Sequence, residues 1–192
     1  MFPGLKTFRQ AVCLVALLNL AFFGVEFAAA LAIGSVSLLA DSVDFLEDAS
    51  LNLLILMALG WSPRARARVG MVLAGVLLVP ALAALWTAWH KLALPEPPAP
   101  LPMSLTAFAA LAVNFTCALV LVRFRHHAGS LSRAAFLSAR NDVLANIAII
   151  AAAAMTAWRP SVWPDLLVGV AIALLNADAA RTVYRAAQGE RG

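Results

Sequence analysis

Apolar residues fill this chain in six long runs, and the polar residues between them bunch where turns would fall. A helix needs roughly 20 apolar residues to cross about 30 Å of hydrocarbon. Six stretches meet that length: residues 11–33, 36–60, 69–89, 104–122, 134–157 and 162–180. The breaks carry turn chemistry: Gly34-Ser35 after the first, Trp61-Ser62-Pro63 with three arginines after the second, and a proline cluster from Pro95 to Pro102 after the third. A His-Gly-Ser stretch follows the fourth run and Trp158-Arg159-Pro160 the fifth. The pattern predicts an all-α integral membrane protein, a six-transmembrane-helix bundle, with residues 1–10 before it and a short tail, residues 181–192, after it.

Composition sharpens this reading. Of 192 residues, 63% are hydrophobic and 12% charged, with a mean hydropathy of +0.88; soluble domains run about 45–50% apolar and about 25% charged. A sphere of this size cannot hide so much apolar surface from water, so its solvent is lipid, which excludes a soluble enzyme. Cys13 and Cys117 lie in apolar runs without CxxC spacing, which argues against a disulfide framework or a structural zinc site.

Basic residues set the orientation. Lys6, Arg9, Arg64, Arg66, Arg68, Arg123, Arg125, Arg133, Arg181, Arg185 and Arg191 fall on one side, and only Lys91 and Arg159 on the other. Both termini are therefore expected in the cytoplasm. The net charge of +4 follows from this asymmetry and calls for no nucleic acid. A signal peptide processed near residues 28–32 is the competing reading of the N-terminus, but that run is long enough to span, and its removal would leave five helices.

The acids change the picture most. Of ten acidic residues, eight fall inside or at the edge of the expected spans: Glu26, Asp41, Asp44, Glu47, Asp48, Asp142 and Asp165, with Asp178 near the inner interface. A carboxylate at the bilayer centre costs at least about 3 kcal/mol, which a passive anchor has no reason to bear. At about 1.5 Å rise per residue, Asp44 lies roughly 12 Å and Asp48 roughly 18 Å below the outer surface, and Asp142 about 18 Å from that same surface. Asp44 and Asp48 are spaced i,i+4, as are Ser138 and Asp142, so each pair shares a helix face. Two such pairs at matched depth can form a four-oxygen cluster for a divalent cation of the Mg, Mn, Fe(II) or Co kind. The competing reading is a hydrogen-bonded network that only joins helices. Arg140 points to a different face from Asp142.

These residues also carry a family resemblance. Asn19, Glu26 and the run from Gly34 through Ala40-Asp41-Ser42-Val43-Asp44-Phe45-Leu46-Glu47-Asp48 resemble the first two helices of the cation diffusion facilitator family, proton-coupled exporters of divalent metals. Leu137-Ser138-Ala139-Arg140-Asn141-Asp142-Val143 resembles its fifth helix, and Trp163-Pro164-Asp165 more weakly the opening of its sixth. The resemblance implies that Asp44, Asp48, Ser138 and Asp142 bind the transported ion. Position 138 is Ser where zinc exporters usually have His, which weakens the case for zinc. Asn146, one turn beyond Asp142, is the better candidate for a further oxygen than Asn141, which lies off the Ser138 face; Glu47 is an outer-shell candidate. Members usually add a cytoplasmic domain that dimerises; about a dozen residues follow the last span here, so a short form is expected, with any homodimer made through membrane helices.

Glu26 and Asp41, both roughly 8 Å from the outer surface, are candidates for an exit path or proton relay, against a reading as separate interfacial carboxylates. His126 and His127 read better as a solvated loop than as metal collectors. Trp86, Trp89, Trp158 and Trp163 cluster at outer span ends, as an aromatic belt does. The leading expectation is a proton-coupled efflux transporter for a transition metal, with the metal as substrate, protons as counter-ion and no permanent cofactor. The alternatives are a transport-inactive scaffold or metal sensor that keeps the fold, and, far behind, an intramembrane aspartyl enzyme, for which no hydrolytic motif is present. Membrane lipid is the expected surrounding, and a bacterial inner membrane fits the Ala/Arg-rich composition without an organelle signal.

Overall fold

The computed structural model describes residues 7–58, 62–123 and 129–175; at 58, 63–64, 66–67, 69–71, 73–80 and 129–140 only the course of the helix is described. Lys6, His126, His127 and the tail from 176 onward lie outside the described residues. Within them all regular structure is helical: α1 (Phe8–Ile33), α2 (Val36–Ala58), α3 (Pro63–Ala93), α4 (Pro100–Val122), α5 (Gly129–Trp158) and α6 (Trp163–Leu175). Three are long and apolar enough to cross a membrane: α1, α4 and the Asn141–Trp158 part of α5. The 23 residues of α2 would suffice in length, but Asp41, Asp44, Glu47 and Asp48 interrupt its apolar pattern.

Helix ends follow local chemistry. Thr7 caps α1 through a capping box, its hydroxyl accepting from the Gln10 amide at 3.3 Å while the Gln10 side chain accepts from the Thr7 amide at 3.2 Å. At the other end Gly34 takes the left-handed conformation, φ 66° and ψ 36°, and Ser35 N donates to the Ala30 carbonyl at 3.0 Å. This closure lets the chain reverse within two residues and start α2 at Val36. Helix α4 begins at Pro100, four residues before the expected apolar run, because Pro100 and Pro102 lack N–H groups that a first turn would leave unpaired.

In the bundle, α1 packs along α2 and α4, α5 closes the ring between α4 and α2, and α3 flanks α2. One apolar cluster joins Ala30, Leu38, Leu39, Ala84, Met103, Ala107, Ile149, Ala153 and Ile172 toward the end that holds the α1–α2 turn. A second joins Ala11, Val15, Cys117, Val120 and Leu121 of α1 and α4 toward the opposite end. Polarity is inverted relative to a soluble protein. Asn19, Glu26, Asp41, Ser42 and Asn146 are wholly buried, whereas Leu17, Leu20, Val25, Leu105, Phe108 and Leu144 are more than half exposed. Buried Ser42 and Ser50 donate to the Leu39 and Leu46 carbonyls of their own helix at 2.7 Å, so their hydroxyls enter the interior already paired. An apolar exterior around a polar interior is the arrangement that hydrocarbon demands. Trp86, Trp89, Trp158 and Trp163 are all exposed on helix ends that gather at the Asp165 end of the bundle.

That end is locked by one carboxylate. Asp165 of α6, with no exposed surface, accepts from the Ser35 and Ser37 hydroxyls at 2.7 Å each, from Val36 N at 2.9 Å and from Ser37 N at 3.1 Å. It thereby satisfies two of the orphan amides at the start of α2 and sits at the positive end of that helix dipole. Lys91 near the end of α3 completes the knot, its Nζ lying 3.4 Å from Asp165 Oδ2. One turn along α6, Gly169 lets the two helices touch: a Cβ there would stand 2.8 Å from Ser37 N and from the Val36 carbonyl carbon.

Two substitutions should expose these constraints. Gly169→Ala forces α6 off α2 and is expected to cost about 1–3 kcal/mol; Asp165→Ala strands the Lys91 charge and is expected to cost about 3–5 kcal/mol. Thermal unfolding in detergent should fall in that order, with Lys91→Met partly restoring the Asp165→Ala variant.

Candidate functional site

The acids of α2 fall on adjoining faces because 41, 44 and 48 recur at helical spacing. Asp44, Glu47 and Asp48 line one cavity with Asn141 and Asp142 of α5, and Val168, Ala171, Ile172 and Leu175 of α6 form its apolar wall. The cavity measures about 570 Å³, room for roughly 20 waters at about 30 Å³ each. It lies two to three turns along α2 from the Asp165 knot and extends away from it. Asp44, Glu47, Asp48 and Asp142 each keep 5–8% of their surface exposed, which they show to this cavity.

The structure thus brings Asp44, Asp48 and Asp142 together from two helices, with the Asp48 and Asp142 side chains in contact. Ser138 lies on α5, but its side chain is outside the described residues, as is that of Arg140. Among the described residues, no three His, Cys, Asp or Glu side chains converge closely enough to grip a bare metal ion. The carboxylates line one wall of the cavity instead.

Neighbours hold the cavity acids in place. Asn19, halfway along α1, directs its Nδ2 to Asp48 Oδ2 at 3.4 Å, and the Cys117 thiol of α4 donates to Asn19 Oδ1 at 3.5 Å. Asn52 Nδ2 donates to the Asp48 carbonyl at 2.7 Å. Cys117 carried no functional signal in the sequence, since a cysteine in an apolar run reads as packing; only its position opposite Asn19 gives it a task.

Glu47 and Asn141 also reach the cavity. Measured from Asp48, Glu47 is about 100° around the helix, but measured from Asp44 it is one i,i+3 step, and a cavity this wide accepts both. Asn146 does not line the cavity. Its Nδ2 donates to both carboxylate oxygens of Asp41, at 3.1 and 3.0 Å, and to the Asp142 carbonyl at 2.8 Å. Asp41 in turn faces Glu26 of α1. Glu26, Asp41 and Asn146 are wholly buried, so they form a dry group one turn nearer the Asp165 end than Asp44.

A family model describing the cation efflux transmembrane domain matches residues 12–187 of the 192. No curated protein matches the chain.

The Asn19 contact has a measurable consequence. Asn19→Leu removes the amide that orients Asp48 and is expected to weaken Mn(II) binding about 10-fold or more, the usual effect of losing an orienting partner. Calorimetry on the detergent-solubilised variant reads this, and Cys117→Ala, one step further out, should change affinity less.

Proposed function

The chain belongs to the cation efflux family, and from that premise we propose that this metal cation transporter is a proton-coupled exporter of a divalent transition metal. The observation that carries the reading is the cavity in which Asp44, Glu47 and Asp48 of α2 face Asp142 of α5 beneath a closed end. Its oxygen ligands suit Mn, Fe(II) or Co better than zinc, which favours nitrogen and sulfur. Ser138, four residues before Asp142 in the sequence, is the fourth ligand in this reading. In this reading the bundle spans the membrane six times with both termini in the cytoplasm of a bacterial cell, pairs with a second copy through its helices, and stands open to the cytoplasm.

The width of the cavity lets the cation enter with much of its water. Bound metal requires ionised carboxylates, so loading displaces protons and links the two fluxes. Rocking of the helices then opens the Asp165 end, and returning protons on the carboxylates release the ion. Glu26 and Asp41, on the way to that end, form the exit path or proton relay. That no three His, Cys, Asp or Glu side chains converge among the described residues favours a second reading, a scaffold or sensor that keeps the fold without transport.

Sealed proteoliposomes separate the two. With Mn, Fe(II), Co, Ni, Zn and Cd offered in turn, metal-driven proton flux is expected, strongest for the oxygen-preferring ions. Asp48→Asn should abolish it while the protein still inserts. Wild-type flux in that variant would remove the cavity from consideration, and absence of flux with every ion would leave the scaffold.

A further inference from the structure

We infer that Glu26, Asp41 and Asn146 form a second station for the transported divalent cation, one helical turn beyond the cavity; this rests on the transport reading above. The geometry of unpaired acceptors carries it. Glu26 is wholly buried, and neither of its carboxylate oxygens receives an N–H or O–H donor; its one polar contact is the Asp41 carboxyl. Asp41, equally buried, faces it from α2, and among the described residues its N–H donor is the Asn146 amide. That amide has committed its nitrogen to Asp41 and the Asp142 carbonyl, and its Oδ1 is buried without a partner. Among the described residues no Lys, Arg or His pairs with either acid.

Two carboxylates are acceptors only, so neither can satisfy the other. A single shared proton would bridge one oxygen of each and leave the second Glu26 oxygen and Asn146 Oδ1 bare. A divalent cation would give the bare oxygens a partner and offset both charges, and carboxylate with amide oxygen is the donor set that hard cations choose. The position agrees. Asp48, Asp44 and Asp41 climb α2 in steps of four and three residues toward the Asp165 end, a ladder with successive sites. Asn146 ties the two stations together, since one amide group touches Asp41 and the turn of α5 that carries Asp142.

The test counts ions on the full chain in detergent, with Mn(II) as probe, by equilibrium dialysis and electron paramagnetic resonance. The wild type should saturate at two Mn(II) per chain, with dipolar broadening expected of centres about 5–10 Å apart on the helical rise. Glu26→Gln should keep one, Asp48→Asn should keep the other, and the double variant should bind none. A wild-type stoichiometry below two overturns the inference, as does a Glu26→Gln protein with native circular dichroism that still takes two. If that variant does not fold, the wild-type broadening decides, its absence counting against the station. Two bound ions without flux in proteoliposomes would sink the transport reading and leave the site; flux with one bound ion would do the reverse.

Discussion

Everything that α2 contributes depends on where its first turn is held. A helix that carries four carboxylates into a lipid-enclosed bundle cannot be positioned by an apolar face alone, because that face is broken by the acids themselves. Asp165 supplies the anchor. Its two oxygens take up the amides of Val36 and Ser37 and the hydroxyls of Ser35 and Ser37, so one side chain of α6 replaces the water that a helix start would otherwise need. Lys91 balances its charge, and Gly169 brings α6 close enough for the contact. With the first turn pinned, the depths of Asp41, Asp44 and Asp48 follow from helical rise.

The same anchor makes the two ends of the bundle unlike. At the Asp165 end, Ser35, Ser37, Asp165 and Lys91 are buried and paired, and small residues such as Ala30, Ala40, Ala152 and Ala153 let the helices approach closely. Farther along α2 the helices part around the cavity. A tight seal above a hollow is a mechanically asymmetric object: motion that opens the seal must break charged and capped contacts, whereas the hollow can widen by sliding apolar walls. The cavity acids and the capped, ion-paired seal therefore occupy different levels of one helix.

The acids divide along that axis into a wet group and a dry one. Asp44, Glu47, Asp48 and Asp142 retain a little exposure to the cavity, and Glu26 and Asp41 have none. Asn19, itself held by Cys117, orients Asp48 in the first group, and Asn146 orients Asp41 in the second. Amides suit this task because they carry donor and acceptor without charge, holding a carboxylate in lipid surroundings without neutralising it as a lysine would.

What the sequence determined by itself was everything that hydrocarbon thickness and helical period impose. The turn at Gly34, the end of α1 at Ile33 and the end of α4 at Val122 were readable because span length is set by the bilayer and reversal by a glycine in the left-handed region. The approach of Asp44 and Asp48 to Asp142 was readable by depth, since rise per residue is constant. The tertiary structure alone decided the contacts that link remote helix ends. Asp165 meets Ser35 across 130 residues and Lys91 across 74, and no local period encodes such a meeting. Glu47 and Asn141 reached the cavity because its width, which packing sets, exceeds a single helix face. Asn146 went to Asp41 rather than to the cavity because an amide can serve only the neighbours that the crossing of α2 and α5 puts within its reach.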